Sequence, residues 1–121
     1  MLSLTHNAKI YVHVPPTDLR KSFEGLSDLI THQFKADPLS GNLFVFVNRK
    51  KNRIKLLYFD GTGVWVCAKR LMGAGCFAWP ATAAPGALQI VAEELTLLLT
   101  GIDLAQTQRR SWWRPSRGSA N

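Results

Sequence analysis

Between Asn48 and Arg70 the chain reads NRKKNRIKLLYFDGTGVWVCAKR, a stretch that holds Arg49, Lys50, Lys51, Arg53, Lys55, Lys69 and Arg70 against one acid, Asp60. Cations at this density do one kind of chemistry unaided: they neutralise and position phosphate oxygens. The bases are interleaved with β-branched and aromatic residues, so a folded strand pair would hold them as a fixed array. The whole chain has 15 Lys and Arg against 8 Asp and Glu, a formal net charge of +7. The charge is unevenly placed. Residues 1–48 are balanced, residues 71–103 contain only the acids Glu93, Glu94 and Asp103, and residues 104–121 contain Arg109, Arg110, Arg114 and Arg117 without an acid. Such blocks imply one face that seeks a polyanion and another, near Glu93 and Glu94, that does not. The competing explanation is that the Lys and Arg serve solubility alone.

Catalytic chemistry has little to work with. A two-metal nuclease needs clustered carboxylates to neutralise its divalent ions. Here Asp18, Asp28, Asp37, Asp60 and Asp103 are scattered, and Asp18 reads as a helix cap while Asp37 and Asp60 read as turn residues. His6, His13 and His32 lack metal-ligand spacing on any one element. Ser40 sits in turn sequence, and Gly61-Thr62-Gly63 lacks the Lys and following helix of a phosphate loop. The expectation is a non-catalytic protein without a metal or cofactor site. Cys67 and Cys76 give neither a disulfide framework nor a metal knuckle, and read as thiols of a reducing compartment.

The elements that must position the bases can be read from periodicity. Ile10, Val12 and Val14 alternate with Tyr11 and His13 as in a half-buried strand, and Pro15-Pro16 stops it. Thr17 or Asp18 then caps a helix whose apolar positions Leu19, Phe23, Leu26, Ile30 and Phe34 follow three- and four-residue steps. Asp37 to Asn42 is turn chemistry. Leu43 to Val47 is continuously apolar, the mark of a strand covered on both faces, and Arg53 to Phe59 and Val64 to Lys69 continue an antiparallel meander with short connections. Leu71 to Pro80 forms a packed loop or a short edge around Cys76 to Trp79. From Gly86, the spacing of Leu88, Val91, Leu95, Leu98 and Ile102 reads as a second helix that Gly101 ends.

The fold expected is therefore α+β: a mainly antiparallel, four-stranded sheet with two amphipathic helices packed on it. It occupies 1–103 as a single domain, followed by a basic, Trp- and Arg-containing flexible tail over 104–121. If the Asp60–Gly63 turn pairs Phe59 with Val64, Arg53 falls opposite Arg70 and Lys55 opposite Ala68, on one sheet face. Like charges directly opposed destabilise an antiparallel pair, so a chain that keeps them is matched to an anion. Arg20 and Lys21, read as first-turn residues of the first helix, are poorly placed for its dipole; they either face the same anion or pair with Glu24. Arg109, Arg110, Arg114 and Arg117 flank Trp112-Trp113, a combination suited to stacking on bases or following phosphates, or simply a solvated tail.

Taken in order, the segments Asp18-Leu19-Arg20-Lys21-Ser22-Phe23-Glu24-Gly25-Leu26, Asp37-Pro38-Leu39-Ser40-Gly41-Asn42-Leu43-Phe44-Val45-Phe46, Lys55-Leu56-Leu57-Tyr58-Phe59-Asp60-Gly61-Thr62-Gly63, Lys69-Arg70-Leu71 and Phe77-Ala78-Trp79-Pro80 resemble the second-open-reading-frame protein, TnpB or Orf2-like, of the family-sixty-six insertion sequences. The resemblance runs from about Val14 to Ile102. It implies an accessory protein encoded beside a transposase, with strand cleavage left to that transposase. The chain departs from the family pattern at Ser22, where Gly is usual. Met72-Gly73-Ala74-Gly75-Cys76 replaces a charged link, which puts any contact made by that link in doubt.

These readings converge on an accessory protein of transposition that binds DNA through a basic sheet surface. The expected nucleic-acid-facing residues are Arg20, Lys21, Arg49, Lys50, Lys51, Arg53, Lys55, Lys69 and Arg70, with the four tail arginines. The alternative is an adaptor that binds the transposase of the same element, or a host protein, without touching DNA. No run approaches the roughly 20 apolar residues of a membrane span, and the N-terminus shows no leader, so a cytoplasmic location is expected.

Overall fold

A computed structural model describes residues 8–80 and 86–103. Its centre is β2, Leu43–Val47, whose five residues are all buried because both faces of the strand are covered. β3, Arg53–Phe59, and β4, Val64–Arg70, follow as the antiparallel meander expected. β1, Ile10–His13, lies on the other side of β2 and runs parallel to it, with Ile10 beside Leu43 and Val12 beside Val45. A parallel neighbour requires a crossover connection, and the helix between the two strands supplies it.

The sheet is larger and more mixed than the four antiparallel strands expected. Ala87–Ile90 forms a further strand antiparallel to β1, named β6 here, so the sheet has five strands in the order β4-β3-β2-β1-β6. The apolar spacing from Gly86 predicts a helix over that segment. Leu88, Val91 and Leu95 satisfy helical spacing, but Leu88 and Ile90 also alternate with Gln89, and burial of Ile90 against the core decides for the strand. The second helix, α2, accordingly spans only Ala92–Thr100, with Glu94 accepting the Val91 N–H at its start and Gly101, at φ +82°, ending it. Gly75–Cys76, β5, is not an edge of the main sheet; it pairs with β7, Ile102–Asp103, in a separate two-stranded ribbon.

The first helix is also shorter than its apolar stripe suggested. α1 spans Phe23–Leu29 and passes into a π-helical turn over Ile30–Phe34 that Lys35 closes in the left-handed conformation. Residues 17–21 are not helical. The Thr17 N–H donates to the Val47 carbonyl, and its buried side chain lies 3.2 Å from His13 Nδ1, so that segment is tied to the sheet instead. Leu26 and Ile30 pack on Phe44, Phe46 and Leu57 on one sheet face. On the other face Leu98, Phe77 and Trp79 cover Val45, Val47, Ile54 and Leu56, and the Trp79 indole donates to the Val14 carbonyl. The result is three layers, with the sheet between α1 and α2. His13 is buried beneath Phe34, its ring stacked on the phenyl ring at 5.4 Å.

Candidate nucleic-acid interface

α1 is too short to cover the whole of its sheet face. It stops over Phe44, Phe46 and Leu57 and leaves the far ends of β3 and β4 open, where Arg53, Lys55, Ala68 and Arg70 point. The register is the one expected from the Asp60–Gly63 turn: Phe59 pairs with Val64, Lys55 with Ala68, and Arg53 with Arg70. Asp60 builds that turn by accepting hydrogen bonds from the Thr62 and Gly63 N–H groups, the Thr62 hydroxyl and the Trp65 indole. Those donors hold its carboxyl well below the usual carboxylate range. The hairpin's acid is thus committed, and it lies at the end remote from Arg53 and Arg70.

Two loops wall the open end. The β2–β3 connection is held by Asn48, whose Oδ1 accepts the N–H groups of Asn52 and Arg53 while its Nδ2 donates to Asn52 Oδ1. This fixes the tip that carries Arg49 and Lys50. Opposite stands the turn 18–21, in which Asp18 accepts the Arg20 N–H and forms an ion pair with its guanidinium at 2.9 Å. The guanidinium hydrogen bond, with the Arg20 N–H beside it, lowers the Asp18 pKa. Lys55 spans the gap, its ammonium 3.4 Å from the Lys21 carbonyl.

Between these walls lies an open cleft of about 740 Å³ lined by Asp18, Leu19, Arg20, Asn48, Arg49, Lys50, Asn52, Arg53, Ile54, Lys55, Ala68, Lys69 and Arg70. Seven of the nine cations expected in the domain line it, and its acid, Asp18, is already paired with Arg20. A wide cleft with fixed walls and an excess of cations suits a polyanion that lies across it better than an enclosed small ligand.

The structure separates the remaining candidates. Lys21 is exposed, with its stem beside Gly25 of α1 rather than in the cleft, and neither it nor Arg20 occupies the first helical turn as expected. The side chain expected to pair with Glu24 was that of Arg20 or Lys21; Ser22 Oγ donates to Glu24 instead. Lys51 stands at φ +59° in the β2–β3 loop and its carbonyl accepts the Phe77 N–H. It is absent from the cleft lining. Lys69 borders the cleft, but its side chain lies on the opposite sheet face, where it is paired with buried Ile54 and its ammonium donates to the Leu99 carbonyl at 2.6 Å. A cation at a helix C-terminus complements the α2 dipole, which is a structural use of that charge. Arg109, Arg110, Arg114 and Arg117 lie outside the described residues. Asn48 and Asn52, which shape the cleft, are not singled out by the charge pattern; their signal in the sequence is an Asn pair bracketing a basic loop.

Among the described residues no group of three or more His, Cys, Asp or Glu could hold a metal ion, and no helix is long and apolar enough to cross a membrane.

Comparison with known proteins agrees with the sequence resemblance. The profile of the IS66 Orf2-like proteins matches residues 8–109. The uncharacterized protein y4hO of Sinorhizobium fredii (strain NBRC 101917 / NGR234) is 37% identical over 117 residues, covering 97% of this chain and 98% of that protein. Protein y4jC of the same organism, also described only as uncharacterized, is 31% identical over the same shares of both chains. No solved structure matches the chain.

Proposed function

The chain belongs to the IS66 Orf2-like family, and from that premise we propose that it is an accessory protein of transposition that holds duplex DNA in the basic cleft between the β2–β3 loop and the turn 18–21. The observation that carries this reading is the Arg53–Arg70 pair. Two cations face each other across β3 and β4, with Lys55, Arg49 and Lys50 around them and no uncommitted described carboxylate among the lining residues. Such an arrangement costs free energy until an anion bridges it. Phosphate is the ligand that matches several cations at once, and Arg presents paired donors to it.

In this reading the protein contributes positioning, and strand cleavage belongs to the transposase of the element. The cleft's cations contact the sugar–phosphate backbone, so binding carries little sequence information by itself. Titration of isotope-labelled protein with a short duplex tests the site. Amide shifts should concentrate at residues 48–55 and 68–70 and leave β6 unmoved. Shifts confined to α2, or none at low salt, would contradict the reading and favour the alternative, that the cations meet an acidic surface of the transposase or a host protein.

A further inference from the structure

β4 is an outermost strand of the sheet, seven residues long, and its ladder with β3 runs unbroken through seven pairs. The phase of the ladder follows from its ends: the Asp60 N–H donates to the Gly63 carbonyl, and the Leu71 N–H donates to the Asn52 carbonyl. Hydrogen-bonded and non-hydrogen-bonded pairs alternate between them. Trp65, Cys67 and Lys69 therefore direct their backbone groups at β3, whereas Val64, Val66, Ala68 and Arg70 turn theirs outward. Among the described residues nothing pairs with that edge. Edges are ordinarily blunted by proline, bulges or free charges. This one has no proline, leaves Trp65 47% and Val66 41% exposed, and has its Lys69 ammonium drawn back to α2.

We infer that the β4 edge binds the β4 edge of a second copy of this chain, antiparallel and centred on Cys67, to make a continuous ten-stranded sheet. This register pairs all seven residues. It brings outward-turned Val66 against outward-turned Ala68 of the second copy, so the backbone hydrogen bonds of one edge meet those of the other in phase. Trp65 falls across from Lys69, and Val64 across from Arg70. The basic end of each strand lands beside the other copy's Asp60–Gly63 turn, which carries the only acid of the 49–70 segment. The two Arg70 residues stand six positions apart along the seam, roughly 20 Å. A parallel second copy would instead set Lys69 on Lys69 and Arg70 on Arg70, which is repulsive.

The two-fold axis of such a pair is perpendicular to the sheet, because directly opposite residues in a sheet point to the same face. Both basic clefts then open on one side. The pairing stands whether or not those clefts take DNA.

Sedimentation of the full chain across micromolar concentrations, with amide hydrogen exchange read residue by residue, tests the inference. The sedimenting mass should be twice that of one chain, and the Val66 and Ala68 amides, which face solvent in a lone copy, should be protected. Val66→Lys and, separately, Ala68→Pro should halve the mass and expose both amides while leaving the far-ultraviolet spectrum unchanged, since neither alters a bond to β3. Gln89→Lys, on the opposite edge of the sheet, should leave the dimer intact. A monomeric parent, a dimer whose Val66 and Ala68 amides exchange freely, or a dimer that survives both β4 variants would overturn it.

Discussion

Arg53 and Arg70 form a non-hydrogen-bonded pair of the β3–β4 ladder, because the Asn52–Leu71 pair next to them is the hydrogen-bonded one. In that kind of pair the Cα atoms approach to about 4.5 Å and the side chains leave the sheet close together. Two guanidinium groups so placed work against the fold when nothing lies between them. Substitution of Arg70 by Gln should therefore raise the free energy of unfolding, by up to about 1 kcal/mol, while weakening DNA binding. Chemical denaturation checks the first effect. A loss of stability would mean that Arg70 has a structural partner.

The Asn48 side chain touches three hydrogen-bonding groups of the β2–β3 loop. Asn48→Ala removes them without changing charge, and should lower stability by about 1–2 kcal/mol. It should also weaken DNA binding, because Arg49 and Lys50 lose their fixed place. Unchanged affinity in a folded Asn48→Ala protein would show that the loop cations need no positioning.

His13 gives the chain a pH dependence whose sign is fixed. Its Nδ1 donates to the Pro15 carbonyl, its Nε2 is buried with no partner among the described residues, and burial lowers its pKa below the ordinary 6.5. As pH falls below 6.5, the unfolded chain takes up a proton that the folded chain refuses. Stability is therefore complete above 6.5 and declines below it, until the folded-state pKa is reached. Unfolding curves between neutral and mildly acidic pH should show this decline for the parent and a flatter response for His13→Gln. Equal slopes would contradict the assignment.

Gly101 serves two purposes where α2 ends. Its φ of +82° is left-handed, and a β-carbon there would lie 2.8 Å from Leu71 Cδ1. Gly101→Ala should cost roughly 1–3 kcal/mol from backbone strain and crowding together. Thermal unfolding measures it, and a neutral outcome would mean that Leu71 moves aside freely.

Much of this architecture was legible because strong local patterns and tertiary burial agree in it. Leu43–Val47 is apolar at every position and is the strand covered on both faces; the Asp60–Gly63 turn fixed the register of β3 and β4, and with it the Arg53–Arg70 pair. The rest depended on contacts that periodicity does not encode. The parallel partnership of β1 with β2 is a choice of neighbour, and Ala87–Ile90 carries both helical and strand spacing, so burial of Ile90 decides. The sequence around Asp18 suits a helix cap, but Asp18 organises a turn with Arg20 and the helix begins at Phe23. That difference moved Arg20 into the cleft wall and Lys21 out of it. Charge counting groups Lys69 and Lys51 with the other cations; the Lys69 ammonium is drawn to the Leu99 carbonyl on the opposite face, and Lys51 is absent from the cleft lining, its own carbonyl accepting the Phe77 N–H.

The most direct test of the cleft is the salt dependence of duplex DNA binding by the parent, an Arg53→Gln/Lys55→Gln/Arg70→Gln variant, and a Lys35→Gln variant whose lost charge lies away from the cleft. Counterion release gives log affinity a slope against log salt of about −0.9 for each phosphate contact. The parent should show a steep slope and Lys35→Gln should keep it. The triple variant should bind more weakly to every duplex sequence, with a slope shallower by roughly 2 to 3. A triple variant that folds and binds with the parent's slope, or a parent that binds no duplex at low salt, would contradict the account.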